Sequence, residues 1–149
     1  MAKQLGERFG ISQCFSDLQE MLEASSPDVV HITTPPQSHY SVARESLDRG
    51  ANVYIEKPFT VTAGEAEALI QLANRRSLSV TAGHNLQFTP EMLEMRRLVE
   101  EGFLGGKPVH LESYFSYDLG DTTYAKGLLA DQNHWVRKLP GMRKLRKLK

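Results

Sequence analysis

Three clusters of polar residues, each directly after a short apolar run, are the places in this sequence where chemistry could occur. They span residues 33–39, 56–59 and 83–88, and they carry hydroxyl, carboxylate, ammonium, imidazole and amide groups. The middle cluster holds Lys57, whose ammonium group starts close to the apolar run that ends at Ile55. A cation in that position can donate a hydrogen bond to a substrate oxygen and stabilise the negative charge that develops there.

The neighbours of Lys57 leave two interpretations open. Pro58 biases the preceding residue toward an extended backbone, and Glu56 can hold the ammonium in place and keep it charged. The alternative is a surface lysine at the end of a strand that simply pairs with Glu56. The tripeptide alone does not decide between a catalytic lysine and an ordinary ion pair.

The elements that must position these clusters follow from two alternating patterns. Short runs rich in β-branched residues at 28–33, 52–55 and 78–82 predict strands about 23–25 residues apart. Helical spacing fills the intervals, most clearly at Ala66, Leu69, Ile70 and Ala73, which predict one buried helix face. This order is typical of βαβ units with a parallel sheet, so the three clusters should meet at the carboxyl edge of that sheet.

Local signals predict where elements begin and which residues are inside. We expect capping boxes at Ser16 and Thr62, and a helix capped by Ser38. His31 lies in a buried strand and is interpreted as a core histidine. Alternating apolar residues from Val109 predict an antiparallel strand.

Composition restricts the function classes. The chain has 149 residues, 40% of them hydrophobic and 24% charged, which fits one ordinary globular domain. No apolar run reaches the roughly 18 residues that span a bilayer, no secretory leader is visible, and Cys14 is the single cysteine. We therefore expect a cytoplasmic protein without a membrane partner. His, Cys and carboxylate side chains show no ligand spacing, which predicts no metal site.

The net charge of zero hides a basic tail. Residues 142–149 hold five of the 18 basic residues and no acidic one, which leaves 13 basic against 18 acidic residues elsewhere. A mildly acidic body argues against a nucleic-acid-binding domain, and the tail is interpreted as a solvated end.

Several motifs occur in the order in which a known family carries them: Thr34-Pro35, His39, Gly50-Ala51 (inverted relative to the family) and Glu56-Lys57-Pro58. The sequence resembles the N-terminal domain of the Gfo/Idh/MocA family, named for glucose–fructose oxidoreductase, inositol dehydrogenase and rhizopine catabolism. The resemblance covers roughly residues 2–120. It implies a Rossmann fold, NAD or NADP as cofactor, and hydride transfer between that nicotinamide dinucleotide and a sugar- or cyclitol-like alcohol or ketone.

The resemblance also implies roles for individual residues. Lys57 would orient the reacting oxygen and assist proton transfer. The implied cofactor-binding residues are Thr33, Thr34, Pro35, His39, Glu56, Lys57 and Asn85. For His39 a structural role at the start of a helix stays open beside the cofactor contact. The implied substrate-binding residues are Lys57, Trp135 and Arg137, with a packing tryptophan as the alternative for Trp135. Gln87 stands where the family commonly has arginine, so its side chain is assigned no contact.

Two motifs of the family are absent. No Gly-x-Gly-x-x-Gly follows a strand, and no Asp-x-x-x-His follows Pro140-Gly141.

The predicted fold class is therefore α/β: an incomplete Rossmann domain, with a doubly wound parallel sheet, over residues 1–87, followed over 88–149 by the start of an α+β antiparallel-sheet domain for substrate binding or oligomerisation. We expect a fragment of an oxidoreductase. The alternative is a non-catalytic fragment that acts only by protein association, and an open sheet edge would favour a homo-oligomer.

Overall fold

The computed structural model describes residues 2–114 of the 149-residue chain. The chain divides into two compact units, the first ending at His84 and the second beginning at Asn85. The domain boundary near Phe88 stays a prediction. Within residues 2–114, no helix combines the length and the apolar character that crossing a bilayer requires.

The first unit contains a three-stranded parallel sheet in the order β1-β2-β3. Its strands are β1 (Val29–Ile32), β2 (Asn52–Ile55) and β3 (Val80–Ala82). The register pairs Ile32 with Ile55 and Ile55 with Ala82, so the strands end level with one another. The α/β prediction and the parallel sheet are confirmed.

Four helices belong to this unit: α1 (Ala2–Phe9), α2 (Leu18–Ser25), α3 (Pro36–Asp48) and α4 (Ala63–Arg75). α3 packs against β1 and β2, and α4 packs against β3 and α3. Because strand side chains alternate, one face of the sheet is buried beneath these helices. The core contains Val30, Ile32, Val53, Ile55, Ala43, Leu47, Leu69 and Ala73, together with Leu22 and Ala51.

Two predicted core residues prove to be exposed. His31 points away from α3, and its ring stacks on Tyr54 with centroids 5.0 Å apart. The strand is buried on one face only, so alternation places His31 opposite the core. Ile70 is 47% exposed. The face of α4 that packs inward contains Leu69 and Ala73, and Ile70 lies beside that face.

Of the three predicted helix caps, the structure confirms one and places the other two at different residues. Thr62 forms the expected capping box with Glu65. At α2 the cap is Asp17 rather than Ser16, and its carboxylate accepts from the Glu20 N–H at 2.9 Å. α3 begins at Pro36, two residues before Ser38, because a proline at the first helical position needs no partner for an N–H.

The second unit begins with a 3₁₀ turn, Asn85–Phe88, followed by helix α5, Pro90–Glu100. The helix predicted after Thr89 is thus confirmed. The strand predicted from Val109 is wrong for residues 109–114, which form neither strand nor helix, and Val109 is fully exposed. An alternating pattern stabilises a strand only when a neighbour pairs with it, and none does so among the described residues.

Candidate functional site

The ends of the three strands form a level edge in the first unit. The Glu56 N–H donates to the Ile32 carbonyl at 2.9 Å, and the Gly83 N–H donates to the Ile55 carbonyl at 2.7 Å. The strand ladder therefore continues one residue beyond each strand end. This places the predicted segment 33–35, Glu56 and Lys57 at the carboxyl edge, where parallel sheets bind ligands.

His39 joins two of the loops at this edge. Its side chain, in the first turns of α3, is 1% exposed. The Nε2 atom lies 2.7 Å from the carbonyl oxygen of Thr34, and the Nδ1 atom lies 2.9 Å from that of Pro58. The ring thus spans the space between the loop after β1 and the loop after β2. It lies beneath the edge, with each nitrogen facing a backbone carbonyl oxygen.

Gly83 allows the third loop to approach closely. A Cβ atom at this position would lie 3.2 Å from the Ile55 carbonyl oxygen and 3.3 Å from both the Cα and the carboxyl carbon of Glu56. Only glycine leaves that space free. Sequence reasoning placed Gly83 in a loop without a role, although a glycine directly after a strand is a recognised sign of close backbone approach.

Lys57 is exposed, and its ammonium makes no hydrogen bond or ion pair with any residue among 2–114. The expected contact with the Glu56 side chain is wrong: that carboxylate accepts from the backbone N–H of Lys57 at 3.1 Å. The Lys57–Pro58 peptide bond is cis. Glu56 therefore holds the backbone of Lys57, and the ammonium remains available to a ligand.

The loop after β1 offers a second exposed surface. Thr33, Thr34 and Pro35 are all exposed. The Ser38 hydroxyl donates to the Thr34 hydroxyl at 2.7 Å and also lies 2.8 Å from the Pro35 carbonyl. The Thr33 hydroxyl, in contrast, has no partner in the part of the chain that the structure describes. Hydroxyl and carbonyl groups at this loop can bind a polar ligand next to Lys57.

The remaining predicted residues are not brought to this edge by the first unit. Asn85 is exposed and belongs to the second unit. Trp135 and Arg137 lie outside the described residues. Within residues 2–114, no group of three His, Cys, Asp or Glu side chains could hold a metal ion.

Comparisons with known proteins agree with this arrangement. Residues 1–84, more than half of the chain, match the oxidoreductase family GFO_IDH_MocA, described as having an NAD-binding Rossmann fold. The uncharacterised oxidoreductase YhhX of Escherichia coli K12 is 38% identical over 102 residues, which are 68% of this chain and 29% of YhhX.

Two of the similar proteins are named dehydrogenases with stated substrates. UDP-N-acetylglucosamine 3-dehydrogenase of Acidithiobacillus ferrooxidans is 38% identical over 86 residues, 58% of this chain and 26% of that enzyme. A levoglucosan dehydrogenase, solved in complex with NADH and levoglucosan, superposes with a TM-score of 0.66 at 26% identity, covering 70% of this chain and 28% of that one. The chain spans less than a third of the length of each of these relatives.

The family match and the three-stranded parallel sheet with its Glu56-Lys57-Pro58 edge lead to the same assignment. This chain belongs to the Gfo/Idh/MocA family of oxidoreductases, with an NAD-binding Rossmann fold.

Proposed function

We propose that this chain supplies the nicotinamide-facing edge of an NAD- or NADP-dependent oxidoreductase. Its reaction is hydride transfer between the cofactor and a carbon that bears a hydroxyl or carbonyl group in a sugar- or cyclitol-like substrate. The observation that carries the proposal is Lys57, an exposed ammonium without a protein partner among the described residues, at the carboxyl end of the central strand. A charge left unpaired beside two polar loops is available to a ligand.

The residues at the edge fit a nicotinamide dinucleotide. Residues 33–35 present hydroxyl and carbonyl groups that would bind the carboxamide and ribose, and Glu56 and Lys57 would border the same space. Asn85 belongs to the proposed cofactor-binding set. His39 belongs to it only through the loop that it holds, because its ring is buried and both nitrogens face backbone carbonyls. When bound, the cofactor supplies the acceptor or donor of the hydride, while the protein groups bind and orient.

The proposed role of Lys57 concerns the substrate oxygen, not the hydride. In the oxidation direction the substrate carbon loses a hydride while its oxygen loses a proton, so negative charge develops on that oxygen. The Lys57 ammonium would donate a hydrogen bond to the oxygen, stabilise that charge and so assist transfer of the proton from the oxygen to solvent water. In the reduction direction the same donor would polarise the carbonyl.

The proposed substrate contacts extend beyond the first unit. Trp135 and Arg137 would reach the substrate or cofactor, because an indole can stack and a guanidinium can pair with phosphate. The setting we propose is the cytoplasm, and the assembly a homo-oligomer.

The test needs a complete enzyme, because hydride transfer also requires a substrate-binding domain. We would graft residues 2–84 in place of the matching segment of the A. ferrooxidans dehydrogenase and measure steady-state kinetics. Lys57→Ala should lower kcat by about 10²-fold or more. Lys57→Arg should not restore it, because a guanidinium is planar, larger and does not release its proton.

The matched control is Lys3→Ala, which removes an exposed lysine from α1. This change should leave kcat unaltered. A near-normal kcat for Lys57→Ala in an active graft would refute the proposed role of Lys57.

Cofactor affinity tests a separate part of the proposal. The 149 residues contain no Gly-x-Gly-x-x-Gly, the motif whose backbone N–H groups and helix N-terminus bind a pyrophosphate. The chain alone should therefore bind NADH or NADPH weakly in isothermal titration. A dissociation constant in the low micromolar range would show that other residues here replace that motif.

A further inference from the structure

The position of His39 has a consequence for Lys57. The Glu56 N–H ties the start of this loop to the Ile32 carbonyl, and among the next three residues, 57–59, the contact of the Pro58 carbonyl with His39 is the one hydrogen bond to a distant part of the described chain. The other contact there is local, from the Lys57 N–H to the carboxylate of its neighbour. His39 therefore joins the part of this loop that follows Lys57 to the loop after β1, while Glu56 and the packing of Phe59 on the core hold its two ends.

The chemistry of imidazole explains why a histidine suits this place. Carbonyl oxygens only accept hydrogen bonds, and the ring faces one from each nitrogen. A neutral ring donates to one of the two carbonyls, and a cationic ring donates to both. A nitrogen that carries a hydrogen ties the carbonyl that it faces to the ring, and a ring with hydrogens on both nitrogens also fixes the separation between the Thr34 and Pro58 carbonyls.

We propose that His39 is a positioning residue that places Lys57 against the loop formed by residues 33–35. Lys57 directly precedes Pro58, so fixing the Pro58 carbonyl fixes the backbone from which the ammonium extends. The same ring holds the Thr34 carbonyl, within the loop proposed to face the nicotinamide. This inference rests on the proposed function of Lys57, but the position of the loop can be measured without any activity.

The first experiment uses the 149-residue chain and backbone NMR. His39→Phe keeps a buried ring and removes every hydrogen bond that the imidazole donates to the Thr34 and Pro58 carbonyls. The amide resonances of Lys57 and Phe59 should shift, while those of the central strand, such as Val53, stay in place.

Ser46→Ala is the matched control. Ser46 is also fully buried on α3, and its hydroxyl donates within the helix to the Val42 carbonyl at 2.8 Å. This variant should leave the Lys57 and Phe59 resonances unchanged. Unaltered resonances in folded His39→Phe would overturn the proposal.

His39→Gln covers the case in which the phenylalanine variant does not fold. Its amide group can donate to one carbonyl but is not a rigid ring, so smaller shifts at Lys57 and Phe59 are expected. Failure of both variants to fold, with Ser46→Ala folded, would overturn the positioning role and leave His39 with a purely structural one.

A kinetic cycle in the grafted enzyme separates positioning from stability. His39→Gln should lower kcat roughly tenfold or more, as expected when a reacting group is misplaced. In the Lys57→Ala background it should lower kcat no further, because the group it positions is already gone. Equal losses in both backgrounds would contradict the inference. If Lys57→Ala itself keeps normal kcat, the proposed function fails and the NMR result still decides the role of His39.

Discussion

The two edges of the same sheet use their polar groups differently. At the amino edge, Asn52 joins the beginnings of all three strands: its amide donates to the Asp28 carbonyl at 2.9 Å, and its side-chain oxygen accepts from the Ser79 N–H at 2.8 Å. Ion pairs connect the neighbouring helix ends, Arg49 with Glu23 and Arg76 with Asp48. The polar side chains named at this edge thus form hydrogen bonds and ion pairs with other protein groups.

At the carboxyl edge a buried polar group contacts backbone carbonyls, whereas two exposed polar groups make no hydrogen bond with the described residues. His39 is buried and joins two loops, whereas the Lys57 ammonium and the Thr33 hydroxyl have no partner among residues 2–114. A group already paired with protein must lose that partner before it binds a ligand. The difference between the edges therefore agrees with the proposal that the ligand binds at the carboxyl edge.

The largest effect on stability should come from filling the close approach at the carboxyl edge. Gly83→Ala places a methyl group 3.2–3.3 Å from the backbone and carboxylate of residues 55 and 56, so those atoms must move. We expect a loss of about 1–3 kcal/mol in the free energy of unfolding. Gly64→Ala in α4, where nothing lies within 4 Å, should instead stabilise by up to about 1 kcal/mol.

Thermal melts of both glycine variants provide the measurement. Opposite signs would support the steric account of the carboxyl edge. A Gly83→Ala chain as stable as Gly64→Ala would show that the strand end moves freely and that Gly83 does not constrain Glu56.

A smaller effect is expected at the amino edge. Asn52→Ala removes two side-chain hydrogen bonds at a partly exposed position, where water can replace them in part. The free energy of unfolding should fall by about 1 kcal/mol. In the grafted enzyme kcat should stay unchanged, because the proposed ligand site lies at the opposite edge of the sheet. A drop in kcat at unchanged stability would show that the amino edge takes part in the reaction and would contradict the proposal.

The smallest effect concerns the ion pair between Glu23 and Arg49. The amide of Gln19 and then the guanidinium of Arg49 lower the pKa of the Glu23 carboxyl below its usual value. A lowered carboxyl pKa adds stability above the unfolded-state pKa, and that stability is lost as the pH falls through the folded-state pKa. Since the pair is exposed, the change in melting temperature should be slight.

An NMR titration of Glu23 can detect this shift. Gln19→Ala and Arg49→Gln should each raise the pKa of Glu23, because each removes a group that lowers it. A pKa that stays low in both variants would mean that another group holds the charge.

How far the sequence predicts the structure depends on the range of each interaction. The strands and the Thr62 cap were predictable because β-branched runs and capping boxes act within a few residues. The face on which His31 lies depends on which side of the sheet the helices cover, and one strand does not reveal that. The bridge from His39 to Pro58 joins residues 19 apart, so only the fold brings them together. The roles of Asn85, Trp135 and Arg137 stay predictions.

A crystal structure of the grafted enzyme with NADH and a substrate analogue tests most directly which edge binds the ligand. We expect the nicotinamide to contact residues 33–35 and the Lys57 Nζ atom to lie within about 3.2 Å of the reacting oxygen, the reach of a hydrogen bond. A cofactor seated near Asn52 at the amino edge, or a Lys57 ammonium directed away from a well-ordered substrate, would contradict the assignment of the carboxyl edge.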